Sequence, residues 1–404
     1  MIMDSKYITR CQNDTIIELD AENSERFEML EDFILHSNSD KATYLRLTLN
    51  NGNKAIKAAD YVGILRLADG SCIELLPKVA GIKRGAVAEN REVLYRMLSA
   101  YYDIPYERRA DDESSDSSDN TFLEFFISVF ARECMKIIKS GLLSGYESIE
   151  ENTSQVRGTI LFAENNRRNL VHRERLYVRH DEFTPDRVEN RLMKSAAFVM
   201  TKLSGNHQNI QNLKKIMAIL DEVKLSDNYE ADFAKCINAR NTKKYNTVLN
   251  ICRLFLRSKK NAEYSGKFVS YALLFPMEDL FRAYVSRLVK TEMRGKTVRT
   301  KISGQYLCEE QQCFGVSPDI VVCDELNHVE LVIVTHWKLV ETLMDVDPND
   351  IYALFAYGKR LGCAKTVLIF PENEDAAELP NSGEYTIECQ GTTDVKIRFA
   401  RLTD

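Results

Sequence analysis

The chain has 404 residues, 44% of them apolar and 28% charged, with 17 glycines and 8 prolines. That profile excludes collagen-like, low-complexity and globally disordered chains, and at roughly 150 residues per domain it allows two or three domains, each able to bury its own core. With 60 acidic against 54 basic side chains the formal charge is −6, so a broadly positive nucleic-acid-packaging surface is excluded and any DNA contact must be local.

The N-terminal MIMDSKYITRCQNDTIIELD has no continuous apolar core, and nowhere do about 18 apolar residues run without a charge, which predicts a cytoplasmic protein that neither spans a membrane nor is secreted by that route. Residues 42–50 (ATYLRLTLN) alternate apolar and polar side chains, Asn51-Gly52 offers a hairpin turn, and 61–67 (YVGILRL), Asp69-Gly70 and 72–76 (CIELL) repeat the pattern. The alternation predicts a β-rich unit, a meander or partial barrel. Apolar residues at helical spacing follow at 90–101 and 122–142. Between them RRADDESSDSSDN (108–120) has almost nothing to bury and reads as a mobile acidic loop with no function of its own.

The middle region holds TSQVRGTILFAENNRRN (153–169) and RERLYVRHDEFTPDRVENRLMKSAAFVMTKL (173–203). A strand-like segment with Arg157, a polar stretch with Arg167 and Arg168, and a second strand with Arg173, Arg175 and Arg179 set six arginines against Glu164 and Glu174. The negative average therefore conceals a positive element. Thr184-Pro185-Asp186 is a helix start with proline in the first turn, and helices are expected over 185–204, 207–223 and 243–259.

From about residue 265 the order becomes a helix at 276–293, strands near 296–302, 314–323 and 329–335, a helix at 348–361 and a strand at 364–370. Helix, three strands, helix, strand is the order of a small α/β core with a mixed sheet. The expected fold is thus a multidomain α+β chain. It has a β-rich N-terminal domain with helices over 1–150, a helical middle with an arginine-rich hairpin over 151–264, and an α/β domain over 265–404.

Ten cysteines are scattered along the chain with no CxxC, and the nearest approach to a metal pattern, Cys308, Cys313 and Cys323, fits no zinc module. They read as reduced, mostly buried thiols. There is no GxxxxGK[ST] and no convincing GxGxxG, so no nucleotide site is expected on this chain.

Metal-dependent phosphodiester cleavage needs hard oxygen ligands for Mg²⁺, a cation near the scissile phosphate and a rigid strand to hold both. A Pro-Asp on one strand followed by acidic-x-Lys on the next meets that need, because residues i and i+2 share a strand face. Here Pro318-Asp319 opens PDIVVC, and the next strand is VELVIVTHWK.

These stretches, with IELLPKVAG (73–81), QVRGTILFAENNRRN (155–169), YVRHDEFTPDRVENRLMKSA (177–196), FPMEDLFRAYVSRLVK (275–290), Trp337-Lys338 and DIYALFAYGKR (350–360), cover most of the chain in order. Together they make the sequence resemble the McrC family, nuclease subunits of McrBC-type modification-dependent restriction systems that act in anti-phage defence. The resemblance implies a subunit that docks on a hexameric AAA+ GTPase and stimulates its hydrolysis. It implies a C-terminal PD-(D/E)xK nuclease-like α/β domain, pairing of two copies through that domain, and access to DNA through the complex. It places Arg157, Arg167, Arg168, Arg173, Arg175 and Arg179 in or beside the part that engages the partner's pore. Arginine suits such docking because its planar guanidinium makes charge-assisted bonds to carboxylates and phosphates.

By the same resemblance Asp319 matches the family's metal-binding aspartate, with Mg²⁺ the cofactor wherever the site is functional. The rest of the site departs from the pattern. Where the family has Asp-x-Lys, this chain has Val334, Thr335 and His336; the helix position that usually offers Glu is Arg282, and the usual Gln after Tyr352 is Ala353. His336 and Lys338 are the remaining candidates for catalytic groups, with Asp345, Asp347 and Asp350 as carboxylates that could approach from the following loop and helix. Glu330 shares a strand face with Val334 but lies roughly 13 Å from it. One aspartate plus an imidazole is a poor site for a cation that prefers octahedral oxygen. The expected function is an McrC-like subunit whose nuclease fold outlives its cleavage activity. Its rivals are an active Mg²⁺-dependent endonuclease with a rearranged site and a stand-alone DNA-binding protein.

Overall fold

Isoleucine and threonine near the start of the chain build two strands that the sequence reading did not mark, β1 (Tyr7–Cys11) and β2 (Thr15–Glu18), ahead of helix α1 (Ser24–Ser37). They are seen in a computed structural model that describes residues 7–19, 24–37, 43–50, 52–79, 87–105, 122–236, 240–263, 269–300, 302, 304–372, 384–387, 394–400 and 402. The acidic stretch 108–120 lies outside the described residues, as does Cys389. The chain divides into two compact units, Met1–Ser118 with Asn261–Asp404, and Asp119–Lys260.

In the first unit the alternating segments become β3 (Leu45–Asn50), β4 (Asn53–Ala58), β5 (Tyr61–Leu67) and β6 (Cys72–Leu76), followed by α2 (Val87–Tyr101). They do not form one meander or barrel. The β3–β4 hairpin joins β2 in a sheet of order β2-β4-β3. The β5–β6 hairpin instead joins β1 and a strand from far along the chain, β10 (Val269–Pro276), in the order β1-β6-β5-β10. Gly63 explains the close approach of β10. A Cβ there would lie 2.0 Å from the carbonyl oxygen of Leu273, and its φ of +139° suits only glycine. Ile17, Phe27, Leu30, Phe33, Leu45, Ile56 and Leu65 fill the core beneath these sheets.

The C-terminal part of this unit starts with α9 (Met277–Glu292) and β11 (Thr297–Thr300). A two-stranded hairpin follows, β12 (Tyr306–Cys308) and β13 (Cys313–Gly315), then β14 (Ile320–Cys323), β15 (Val329–Thr335), α10 (Pro348–Leu361), β16 (Lys365–Pro371), β17 (Glu384–Ile387) and β18 (Asp394–Ala400). The single strand expected over 314–323 is thus two elements: Phe314 has φ 57°, and Pro318 cannot donate to a ladder. The sheet order is β11-β14-β15-β16-β18-β17. β11, β14 and β15 pair antiparallel, α10 crosses over, and β16 returns parallel to β15.

Helix α10 begins on an Asp347 side chain that accepts from the backbone N–H of Asn349, with Pro348 in its first turn, and ends at Gly362 in the left-handed region. Fully buried Leu354 fastens it against the sheet beside Val332 and Leu368. Burial of one leucine is worth about 2 kcal/mol, and an N-cap about 1 kcal/mol. Packing more than capping therefore sets where α10 lies and where Asp350 points.

The second unit carries α3 (Phe122–Lys139), β7 (Gly145–Thr153), β8 (Thr159–Ile160), α4 (Phe162–Arg168), β9 (Leu176–Thr184) and four further helices. These are α5 (Val188–Leu203), α6 (His207–Ile219), α7 (Tyr229–Lys235) and α8 (Asn246–Glu263). Leu192, Met193, Ala196 and Met200 of α5, Leu213 and Ile216 of α6, and Val248, Ile251 and Phe255 of α8 are all buried. β7 and β9 pair over nine residues, from Gly145↔Thr184 to Thr153↔Leu176. At about 3.3 Å per residue the ribbon is roughly 30 Å long.

Candidate functional site

The loop before β14 ends on Pro318, so Asp319 enters the sheet at its mouth, where both carboxylate oxygens are already engaged. Oδ1 lies 2.6 Å from Nε of Arg282 on α9. Oδ2 accepts hydrogen bonds from the Thr335 backbone N–H at 2.8 Å and the Thr335 hydroxyl at 3.1 Å. The Arg282 contact is an ion pair whose angle falls outside hydrogen-bond geometry, since Nε has no directed partner. The same guanidinium donates from Nη1 to Asp279 at 2.8 Å. A fixed cation therefore sits on the carboxylate expected from the sequence to be a metal ligand.

Val334, in place of the second acidic ligand, packs against the apolar cluster under α10. His336 follows the end of β15 and lies between two carboxylates, with Nδ1 3.5 Å from Glu278 Oε1 and Nε2 3.2 Å from Asp350 Oδ1. The hydrogen bond to Glu278 is the largest influence on the imidazole; it raises the pKa above the ordinary histidine value. Burial opposes it, and the charges of Asp350, Glu278 and Asp319 add to it. Glu278 also accepts from the Trp337 backbone N–H at 3.1 Å, while its Oε2 is buried with no partner.

Lys338 donates to the carbonyl oxygen of Asp345. Asp345 in turn caps a short turn by accepting from the N–H groups of Glu341 and Thr342, and Asp347 caps α10. Of the three downstream carboxylates only Asp350 is brought to His336. Glu330 pairs with Lys296 at the surface. Among the described residues no three of His, Cys, Asp and Glu converge on a point that would hold a metal ion. The donor set fits Mg²⁺ poorly: the one expected aspartate is saturated, its neighbour is apolar, and the nearest cation is covalently part of the chain.

Two residues that matter here are given no role of their own by the sequence reading. Glu278 stands in the quoted FPMEDLF stretch and in the first turn of α9, but the resemblance puts the usual helix carboxylate four positions on, where this chain has Arg282. Trp337 anchors the site to the N-terminal strands, with Nε1 donating to the buried Gln12 at 2.7 Å and its ring edge-on to Phe281 at 5.5 Å. The Gln12 amide also reaches Asp60 at 3.0 Å.

The arginine-bearing segment forms a second candidate surface, in the other unit. Arg157 lies in the loop before β8, Arg167 and Arg168 on α4, Arg173 and Arg175 ahead of β9, and only Arg179 on a strand; all six are exposed. The expectation of a strand carrying Arg157 and another carrying Arg173 and Arg175 is therefore replaced by loops and a helix. Arg179 pairs with Glu150, Arg167 and Arg168 with Glu164, and Arg168 stacks over Tyr177 at 4.8 Å. Among the described residues Arg173 makes no ion pair. Beside these cations stand exposed Val156, Phe162, Leu170 and Val171, the last 83% accessible.

The polar residues between the arginines have an internal task. Asn169 and Asn152 exchange side-chain hydrogen bonds at 2.9 and 3.0 Å. Asn165 accepts from Asn169 at 2.8 Å and from the Tyr177 backbone N–H at 2.9 Å. Four residues apart, Asn165 on α4 and Asn169 at its C-cap point inward and leave Arg167 and Arg168 outside. Gly158, at φ +64°, presses so close to β9 that a Cβ would lie 2.2 Å from the Arg179 carbonyl oxygen. At the ribbon's base Arg191 holds Asp186 with two bonds, of 2.7 and 2.8 Å. Asn190 bonds the carbonyls of Leu143 and Pro185 and receives the Tyr245 hydroxyl. The run TPDRVENR is thus a clamp between ribbon and helices.

These elements make a mixed α+β protein of several sheets and, among the described residues, ten α-helices. Residues 56–371 match the family described as "McrBC 5-methylcytosine restriction system component". The chain belongs to that family. Its fold is McrC-like: it matches a chain from a Thermococcus gammatolerans assembly of McrB AAA+ hexamers with bound McrC with a TM-score of 0.66 at 17% identity, covering 98% of this chain and 94% of that one. A cryo-EM structure of the McrBC complex from the same organism matches with a TM-score of 0.47 at 19% identity, over 70% of this chain and 87% of that one. No curated protein matches the sequence. No helix among the described residues is long and apolar enough to cross a membrane.

Proposed function

We propose that the chain is the McrC-like subunit of a modification-dependent DNA restriction system acting in anti-phage defence in the cytoplasm, and that it docks on and stimulates a AAA+ GTPase hexamer. Its C-terminal sheet with α9 and α10 is read as a PD-(D/E)xK nuclease fold that no longer cleaves. The observation that carries this reading is the Arg282–Asp319 ion pair, which puts a guanidinium where a catalytic cation would have to bind. Val334 and His336 in place of the acidic ligand and lysine support it.

Docking is assigned to the arginine-bearing ribbon. Its roughly 30 Å length, its exposed guanidinium groups and the apolar side chains beside them suit insertion into a channel lined by carbonyls and carboxylates. The chain's formal charge of −6 suits a subunit that reaches DNA through its complex. The test is to mix the purified chain with its GTPase partner, GTP, Mg²⁺ and methylated duplex DNA. GTP hydrolysis is expected to rise while the DNA stays intact. Cutting that disappears on Asp319→Ala would overturn the reading.

One observation favours a rival. The partnerless Oε2 of Glu278, whose other oxygen lies 3.5 Å from His336, is an acceptor to which a rearranged endonuclease could bring a divalent cation. That reading requires carboxylate oxygens within about 2.0–2.6 Å of a bound Mg²⁺ or Ca²⁺, and crystals soaked in either ion decide between the two.

A further inference from the structure

Cys308 and Cys313, which the sequence offered only as part of an unconvincing metal pattern, face each other across the β12–β13 hairpin. They are paired residues in its antiparallel register, so their side chains leave the hairpin side by side on the same face. Directly opposed residues of an antiparallel pair have Cα atoms about 4.5 or 5.5 Å apart, inside the roughly 4.4–6.8 Å range that a disulfide spans. Both thiols are only part-buried, and the hairpin that carries them is open to solvent, with Leu307 and Phe314 exposed. The third cysteine of the pattern, Cys323, is buried within β14, which leaves two thiols and no third ligand for a metal. Cys134 and Cys252 are both fully buried, beyond the reach of an oxidant.

We propose that Cys308 and Cys313 form a reversible thiol-oxidation site, closing to a cross-strand disulfide in exchange with a small-molecule disulfide such as oxidised glutathione. One cysteine thiolate attacks the glutathione disulfide, forming a mixed disulfide and releasing one glutathione. The other cysteine thiolate then attacks the protein sulfur of that mixed disulfide, forming the Cys308–Cys313 bond and releasing the second glutathione. The two cysteines lose two protons and two electrons, and the oxidant is reduced to two glutathione thiols. The hairpin's strands are only three residues long, and so short a two-stranded element is marginal by itself. Arg360 of α10 holds it, donating from Nε to the Tyr306 carbonyl at 2.6 Å and pairing with Glu309. The bond would lock the hairpin in the form that α10 grips.

The experiment uses the full chain, reduced and then equilibrated across a series of glutathione redox ratios. Free thiols are blocked with N-ethylmaleimide, and the chain is cut with a Glu-specific protease, which cleaves between the two cysteines at Glu309 and Glu310. The expected result is that the peptides bearing Cys308 and Cys313 stay joined, lighter by two hydrogens, and separate on reduction. The native chain should reach half-linkage at about a tenfold lower oxidant ratio than the chain in urea, because the fold holds the pair at bonding distance. In Cys308→Ser, Cys313 should instead carry a glutathione adduct. Equal linkage in native and unfolded chains, separate glutathione adducts on both cysteines of the wild type, or a link to Cys323 would each overturn the proposal. The native-against-urea comparison needs no variant to fold.

Discussion

The Arg282 guanidinium lies 2.6 Å from the carboxylate of Asp319, the residue that the proposed function makes the former metal ligand. The side chains are 30% and 15% exposed, so the pair is partly shielded from water. Breaking a fully buried pair from one side costs about 3–5 kcal/mol; solvent access to the guanidinium brings the expected cost of Arg282→Ala down to about 1–2 kcal/mol, measured by urea unfolding. Arg282→Glu carries the idea further. A second carboxylate against Asp319 should destabilise the chain more than alanine does, and millimolar Mn²⁺ should return part of the loss. At ten times its dissociation constant the ion returns about 1.4 kcal/mol. Wild type should not respond to Mn²⁺, and equal responses would mean that the guanidinium is not what excludes the ion.

His336 gives a pH dependence whose sign follows from its surroundings. The hydrogen bond to Glu278, with Asp350 beyond it, raises its folded-state pKa above the ordinary histidine value. A group raised in the folded state contributes its full stabilisation below the unfolded pKa, about 6.5, and loses it as pH rises through the folded value. Stability should therefore fall with rising pH across that window, and the slope should flatten in His336→Gln. Urea midpoints at a series of pH values test the slope, and the NMR titration of the His336 ring tests its cause. A ring that titrates below the ordinary value would overturn the assignment.

How much of this was open to reading depended on whether the signal was local. β5, α9, α10 and β16 carry their periodicity and stop signals within themselves, and they stand where alternation, Pro348 and Gly362 put them. β10 is not marked as a strand from the sequence, and nothing near it names β5 as its partner; Gly63, whose missing side chain admits it, is a hint that only the fold explains. β7, GYESIEENT, is largely polar on both faces because one face of the ribbon is exposed and the other only half-buried, so it has no apolar stripe to read. The site divides in the same way. Asp319 and the departures at Val334 and His336 come from the family resemblance. The carboxylates that face His336 come from two helices on either side of it in the chain, and only the fold brings Glu278 there.

Gly158 is where the ribbon's loop is most constrained. Alanine at φ +64° pays backbone strain of about 1–3 kcal/mol, and its Cβ would sit 2.2 Å from the Arg179 carbonyl oxygen, which forces the loop off β9. In Gly158→Ala, amide exchange should speed up at Thr159 and Ile160, which pair with Arg179 and Val178. The helical core around Leu192 should stay protected. Unchanged exchange at β8 would count against the tight packing of this loop.

Docking through the ribbon predicts a separation between binding and stability that its two sets of charged residues can test. Arg173 and Arg175 are exposed and hold no part of the fold, so the double change Arg173→Ala, Arg175→Ala should shift unfolding free energy by no more than about 0.5 kcal/mol. Stimulation of GTP hydrolysis by the partner should drop severalfold. Asp186 is the opposite case. It is buried and bonded by Arg191 and by the backbone N–H of Lys224. Although burial alone would raise its pKa, those bonds hold it below the usual carboxylate value. That stabilisation is present above the unfolded pKa and is lost as pH falls through the folded one. Asp186→Asn should cost about 3 kcal/mol and remove that part of the acid sensitivity. Its stimulation should fall only as far as the folded fraction does. If Asp186→Asn and the arginine pair reduced stimulation in the same proportion at equal folded fraction, the ribbon's surface would not be what the partner reads.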